Sequence, residues 1–238
     1  MTLSLNNKVV LITGGAKRVG AAICRELHAH GANLMIHYKT SITEARALQA
    51  ELNLQRANSV AIIQGDLLNI AVLPSLVSET VKQFGRLDVL INNASSYYAT
   101  EIGKITVENW HDLMGSNLKA PMFLAQAAAS ELRKNYGCIV NITDMHIERP
   151  KKGYVVYSVA KAGLVTLTKS LAHELSPEVR VNAVAPGPVQ WPDALFKTPR
   201  SRCVARGDEG FNFKMRLILK HENSIFIAVI DFNLRFER

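Results

Sequence analysis

The 238-residue chain has few cysteines, only two tryptophans and no long apolar run. Cys24, Cys138 and Cys203 stand far apart in the sequence. No two of them have metal-ligand spacing, so free thiols in a reducing compartment are expected and no metal site is. No uncharged apolar stretch approaches the roughly 18 residues of a membrane-spanning helix, so no membrane association is expected. The opening, Met1-Thr-Leu-Ser-Leu-Asn-Asn-Lys8, has no apolar core of the secretory kind. A cytoplasmic location follows as the expectation. A dense basic run is also missing: the net charge of +8 divides into +4 over residues 1–195 and +4 over the last 43. A nucleic-acid-binding face would concentrate that charge, so no nucleic-acid partner is expected. A diffuse positive field suits the capture of a phosphorylated small molecule.

What is present is an apolar chain, 48% hydrophobic, with a mean hydropathy of +0.06, which suits a substantial core. No linker rich in Pro, Gly or Ser divides it, and residues 1–193 read as one domain. Lys8–Ile12 is a short apolar run ending in Thr13-Gly14-Gly15, the pattern of a buried strand and a turn. Helical spacing of Val19, Ala22, Ile23 and Leu27 follows, up to His30. The alternation then continues with strand Asn33–Tyr38, helix Thr43–Leu54, strand Ser59–Gln64, helix Ala71–Phe84 and strand Leu87–Asn92. Next come helical spacing over Val107–Lys134, strand Cys138–Thr143, a helix from about Tyr154 to Leu175, and strand Val179–Val184. Continuously apolar strands separated by helices predict an α/β fold: a doubly wound, Rossmann-like parallel sheet in a three-layer αβα arrangement. Such sheets bind ligands beyond the carboxyl ends of their strands.

The first turn, Thr13-Gly14-Gly15-Ala16-Lys17-Arg18-Val19-Gly20, fits a pyrophosphate cradle. Gly14 permits a tight turn, Gly20 lets the helix approach the strand, and the helix start offers unpaired N–H groups. An NAD-preferring site carries an acidic residue after the second strand. Here Ile36-His37-Tyr38-Lys39-Thr40-Ser41 has none before Glu44. Arg18, Lys39 and Ser41 offer charge and hydrogen bonds to a 2′-phosphate instead, which favours NADP(H). An ordinary basic surface loop is the alternative. Asp66 either accepts a hydrogen bond from adenine or caps the helix that follows.

Tyr157 and Lys161 are four apart in a helical segment and share a face. A nearby lysine cation lowers a tyrosine pKa from about 10 toward working pH, making Tyr157 a general acid for a hydride-receiving substrate.

These residues resemble the short-chain dehydrogenases/reductases over about residues 6–193. The motifs are the Thr13–Gly20 turn, Asn92-Asn93-Ala94, Asn117, Tyr157/Lys161 and Pro186-Gly187. The resemblance implies that Lys161 also binds the nicotinamide ribose, that Asn117 supports a proton-relay water, and that Asn92 lies beside the cofactor. It extends the cofactor-binding set to Lys17, Val19, His37, Tyr38, Leu67, Asn93, Ala94, Ser95, Pro186 and Gly187. Three departures resemble the pteridine reductases. Arg18 stands where most members have a middle glycine. The asparagine motif continues as Ser95-Ser96-Tyr97-Tyr98. Asp144 replaces the usual serine thirteen residues before the tyrosine.

A serine there donates to the developing charge of a ketone oxygen, whereas an ionised carboxylate repels it. A pterin presents ring nitrogens that need a proton, and Asp144 hydrogen-bonded to Tyr157 would help deliver it. The alternative is that Asp144 caps the following loop. Arg18, Ser95, Tyr97, Asp144 and Tyr157 form the implied substrate-binding set. Tyr97 either stacks the pterin on nicotinamide or packs as a core tyrosine. The expected reaction is NADPH-dependent reduction of a dihydropterin or dihydrofolate. A ketone or acyl-carrier-protein reductase, or a cofactor-binding relative with impaired catalysis, remains the alternative.

After Trp191-Pro192-Asp193 the resemblance stops. Six of the eight phenylalanines fall in the last 43 residues. Residues 194–238 therefore read as a divergent segment or an altered reading frame, without the family's covering segment and last strand, although Ser224–Ile230 has the composition of an apolar strand. The family implies a homotetramer, which this ending puts in doubt.

Overall fold

The apolar run Val9–Ile12 forms β1, whose four residues are all buried. A computed structural model describes residues 5–147, 149–186 and 227–230. Around β1 the strands β2 (Asn33–Tyr38), β3 (Val60–Gln64), β4 (Val89–Asn92), β5 (Cys138–Ile142), β6 (Arg180–Pro186) and β7 (Ile227–Ile230) complete a sheet. Its order is β3-β2-β1-β4-β5-β6-β7, and every neighbouring pair is parallel. The doubly wound reading is therefore shown. It also implies a reversal of direction between β1 and β4, the place where such sheets open a crevice at their carboxyl ends.

Alternate residues of the same strands feed opposite cores, as the two-residue period of a strand requires. Leu11, Met35, Leu90, Ile139 and Val181 join Leu73, Leu76, Leu124, Leu132 and Leu171 in one cluster. These contacts come from helices α3 (Leu73–Phe84), α5 (Ala120–Lys134) and α6 (Val155–Glu174). Val10, Ile12, Leu34, Ile36 and Ile91 join Ala21, Cys24, Leu48 and Leu52 in the other, beneath α1 (Arg18–Ala29) and α2 (Ile42–Gln55). Burying each such leucine or isoleucine stabilises the fold by about 1.5–3 kcal/mol.

Two expectations change. The helical stretch predicted over Val107–Lys134 is not continuous: α4 (Val107–Met114) and α5 are joined by a π-helical segment, Gly115–Lys119, in which the Ala120 N–H reaches back to the Gly115 carbonyl. Such segments arise where a helix is locally overfilled by a residue and often mark functional positions. The last strand, expected to be missing, is found at Ile227–Ile230, where Ala183 pairs with Ile227 and Pro186 with Ile230. Gly187 and the remainder of the 194–238 segment lie outside the described residues. Among the described residues no helix is long and apolar enough to cross a membrane.

Candidate active site

The turn after β1 is tied to the end of β4. Thr13 Oγ1 accepts from the N–H groups of Asn93 (3.0 Å) and Ala94 (3.1 Å), while Asn93 Nδ2 donates to the carbonyls of Thr13 (2.9 Å) and Gly14 (3.0 Å). Asn93 and Ala94 thus shape the cofactor turn. Gly14 has φ +61°, and a Cβ there would lie 2.9 Å from Ala94 Cα; a Cβ on Gly20 would lie 2.4 Å from the Gly14 carbonyl oxygen. Both positions are closed to side chains, so the helix start and the strand end remain close enough to share one small anionic group. Arg18 has φ +49°, a left-handed conformation that non-glycine residues adopt at a cost of about 1–2 kcal/mol. That conformation accounts for the glycine usual at this place. The Arg18 side chain is exposed.

An open cleft beside this turn is lined by Gly14, Ala16, Lys17, Tyr38, Lys39, Thr40 and Ser41. Lys39 pairs with Asp66 at 2.9 Å and Lys17 with Glu44 at 2.6 Å. One Asp66 oxygen accepts from the Leu68 N–H at 3.0 Å and the other holds Lys39; the helix that follows is capped by Asn69 instead. Leu67 and Tyr38 are buried, so their backbones alone remain for a ligand. Val19 is half-buried, and Ser41 lies at the start of α2.

His37 was expected in the cofactor-binding set. The imidazole is buried; its Nδ1 accepts from the Gly14 N–H at 3.2 Å and its Nε2 donates to the Gly65 carbonyl at 3.1 Å. Those two bonds require the neutral tautomer with hydrogen on Nε2. Burial pushes its pKa down to about 4. The ring braces the turn from behind.

The reaction end is built where β5 and α6 converge. Tyr157 Oη donates to Asp144 Oδ2 at 2.7 Å. Lys161, buried, donates to the Ile142 carbonyl at 2.8 Å and lies 5.8 Å from the Tyr157 ring centroid. The Tyr157 shift runs opposite to the one expected from Lys161. Burial, followed by the Asp144 carboxylate, holds the Tyr157 hydroxyl well above its ordinary pKa. A carboxylate in direct contact outweighs a cation farther off, so the pair keeps its proton on the tyrosine. Burial raises the Asp144 pKa, but the hydrogen bonds from Tyr157 and His146 outweigh it and leave the carboxyl below its usual range. Burial lowers Lys161 to about 8, against the partial support of Asp144.

Asn117 lies in the π segment. Its Oδ1 accepts from Ser95 Oγ at 2.7 Å, and its Nδ2 donates to the carbonyls of Ser96 (3.0 Å) and Leu113 (2.9 Å). The side chain therefore positions the Ser95–Ser96 loop. The Thr100 N–H donates to the Gly153 carbonyl, which ties that loop to the turn before α6. Tyr97, half-exposed rather than a core residue, stacks on Tyr154 (4.7 Å between centroids, 21° between planes) and meets Tyr157 edge-on at 4.9 Å.

Three pocket residues escaped the sequence reading. His146 donates through both its backbone N–H (2.7 Å) and Nδ1 (2.9 Å) to Asp144 Oδ1. Lys151 lies 4.4 Å above the Tyr154 ring and 3.5 Å from Tyr97 Oη. Tyr154 falls three residues before Tyr157 on the same helical face, a spacing that marks it. The Asp-x-His spacing is the signal for His146. With Asp144, Tyr157 and Ser158 these residues line a pocket of about 190 Å³.

Residues 8–199 match the short chain dehydrogenase family. Pteridine reductase 1 of Leishmania tarentolae is 38% identical over 234 residues, covering 82% of this chain and 81% of the relative. The 3-oxoacyl-(acyl-carrier-protein) reductase of Synechocystis is 35% identical over 187 residues (77% and 75%). Its counterpart in Staphylococcus aureus is 34% identical over 182 residues (76% and 74%). With the parallel sheet, the glycine turn and the tyrosine–lysine pair of α6, this match means that the chain belongs to the short-chain dehydrogenase/reductase family of oxidoreductases.

Proposed function

We propose that the chain reduces a dihydropterin or dihydrofolate to the tetrahydro form with NADPH. The observation that carries this reading is the 2.7 Å contact between Tyr157 Oη and Asp144 Oδ2. A carboxylate beside the proton donor repels the oxyanion of a reduced ketone and attracts the cation of a protonated ring nitrogen. The relative from Leishmania tarentolae, a pteridine reductase by name, agrees with that chemistry.

NADPH supplies the hydride to a ring carbon when bound. Gly14, Gly20 and the start of α1 fit its pyrophosphate. Lys17, Arg18, Lys39 and Ser41 border the cleft that fits a 2′-phosphate. The ion pairs Lys39–Asp66 and Lys17–Glu44 are half-exposed and stabilise the fold little. A charge-assisted hydrogen bond to a phosphate is worth about 1.5–3 kcal/mol, so Lys39 and Lys17 exchange partners at little cost. Lys161 lies where it can orient the nicotinamide ribose, and Ser95 and Tyr97 flank the substrate's place. Tyr157 gives its proton to the ring nitrogen next to the reduced carbon, with Asp144 coupled to it as one titrating unit.

The test is NADPH consumption by purified protein offered dihydrobiopterin, dihydrofolate or a 3-oxoacyl thioester. Turnover of a pterin is expected. Turnover of the thioester with none of either pterin would replace this reading with the acyl-carrier chemistry of the other relatives.

A further inference from the structure

We propose that His146 is a positioning and proton-return residue, the route by which the Tyr157–Asp144 pair recovers its proton from solvent. The inference rests on the pterin-reduction reading above.

The pair holds one transferable proton, on Tyr157. Once that proton passes to the substrate nitrogen, a phenolate faces a carboxylate 2.7 Å away, and two negative charges at that distance, one buried and one partly buried, demand prompt reprotonation. Among the described residues, the hydrogen bonds onto the Asp144 carboxylate come from Tyr157 on Oδ2 and from the backbone and ring of His146 on Oδ1. The two oxygens therefore face opposite ways, one to the donor and one to the histidine. The His146 side chain is 50% exposed and that of Asp144 20%. Imidazole is the side chain suited to exchanging protons with water near neutrality.

The return step balances. The Nδ1–H bond of the imidazolium breaks and its proton moves to Asp144 Oδ1. Rotation of the Asp144 carboxyl group exchanges its two oxygens and brings that proton to the Tyr157 phenolate, which takes it. Neutral His146, left with hydrogen on Nε2, swings its ring to solvent, takes a replacement on Nδ1 from a hydronium ion or buffer acid, and returns, with no change of oxidation state. Other charged or titratable groups facing this pocket are Lys151, Tyr97 and Tyr154 from the loops and Lys161 from α6. The backbone N–H of His146 keeps Asp144 in place even when the ring is removed, so positioning and proton return are separable by mutation.

Two variants test this. His146→Asn retains an amide donor but cannot act as an acid or base near neutrality, and His146→Ala opens a space for added imidazole. With dihydrobiopterin and NADPH, both variants are expected to lose about tenfold in kcat, with KM within about twofold of the parent. Imidazole buffer should restore His146→Ala in proportion to its concentration, while sodium chloride at equal ionic strength should not. Unchanged kcat in both variants would assign proton return to another route, such as Lys161 and a water held near Asn117. A loss in His146→Ala without imidazole rescue would reduce His146 to a structural role. Either result overturns the inference and leaves pterin reduction standing. A parent protein that reduces neither pterin overturns both.

Discussion

Replacing Lys161 by methionine should make the protein more stable and inactive. The ammonium is 3% exposed and burial lowers its pKa from 10.5 to about 8. At about 1.4 kcal/mol per unit, that shift is a penalty of about 3 kcal/mol at neutral pH. Against it stands one hydrogen bond, Lys161 Nζ to the Ile142 carbonyl at 2.8 Å, worth about 1 kcal/mol. Methionine matches the lysine stem in length and leaves that carbonyl unpaired, so the expected net gain is about 1–2 kcal/mol at pH 7. The pH dependence identifies the cause. Between about 8 and 10.5 the unfolded chain holds the Lys161 proton and the folded chain does not, so the parent's stability rises with pH across that window. Below about 8 both forms are protonated and the full penalty applies. Urea unfolding followed by far-ultraviolet circular dichroism at pH 7 and at pH 9.5 should show the gap between Lys161→Met and the parent shrinking by about 2 kcal/mol, with m unchanged. A Met variant less stable than the parent at pH 7, or a gap independent of pH, would refute the reasoning.

Tyr157→Phe removes the acid and should lower kcat about a hundredfold or more while NADPH quenching titrations still show binding. Ablating the 2′-phosphate contacts with Lys39→Ala and Ser41→Ala together should raise the KM for NADPH about tenfold, from the loss of a charge-assisted bond, and leave that for NADH within about twofold. Equal effects on both cofactors would place the phosphate elsewhere. Gly20→Ala puts a Cβ 2.4 Å from the Gly14 carbonyl oxygen. Since only backbone movement relieves that contact, NADPH affinity in calorimetry should fall at least about tenfold, more than for an exposed helical glycine-to-alanine change, which is near neutral or stabilising.

The alternation of strands and helices could be read because each strand is a short apolar run and each helix keeps its 3.6-residue period. β2 falls at Asn33–Tyr38, the predicted bounds. The π segment left no such trace, since one extra residue in a turn does not disturb the apolar spacing of Leu113, Leu124 and Leu132. Asp144 and Tyr157 were recognisable as a pair only through the family resemblance, and they meet because β5 and α6 converge at the sheet's carboxyl edge. The sign of the Tyr157 shift was not recognisable, because it depends on which charge touches the hydroxyl. Lys161 turns to the Ile142 carbonyl, and Asp144 takes the tyrosine. His37 was assigned to the cofactor by position, yet strand pleating turns its ring into the space between Gly14 and Gly65. His146 was overlooked because a carboxylate accepting from the residue two ahead is a local turn that any Asp-x-His spacing permits.

The charges around Tyr157 bear directly on substrate choice. With the tyrosine neutral, the buried set is the Asp144 carboxylate and the Lys161 ammonium, which balance. A ketone that accepts hydride places a negative oxygen beside Asp144, and a ring imine that accepts a proton places a positive nitrogen there. Two unit charges about 5 Å apart interact by about 3 kcal/mol at an effective dielectric constant of about 20. From Asp144 alone the difference between repelling one intermediate and attracting the other is therefore about 6 kcal/mol, an upper bound that the opposing Lys161 ammonium, farther from the hydroxyl, reduces. A serine at position 144 would erase that difference, since its hydroxyl donates to an oxyanion and offers a nitrogen cation no charge. Asp144→Ser should therefore lose pterin reduction far more than it loses NADPH binding. If instead it accelerates pterin reduction, the charge at position 144 has another purpose.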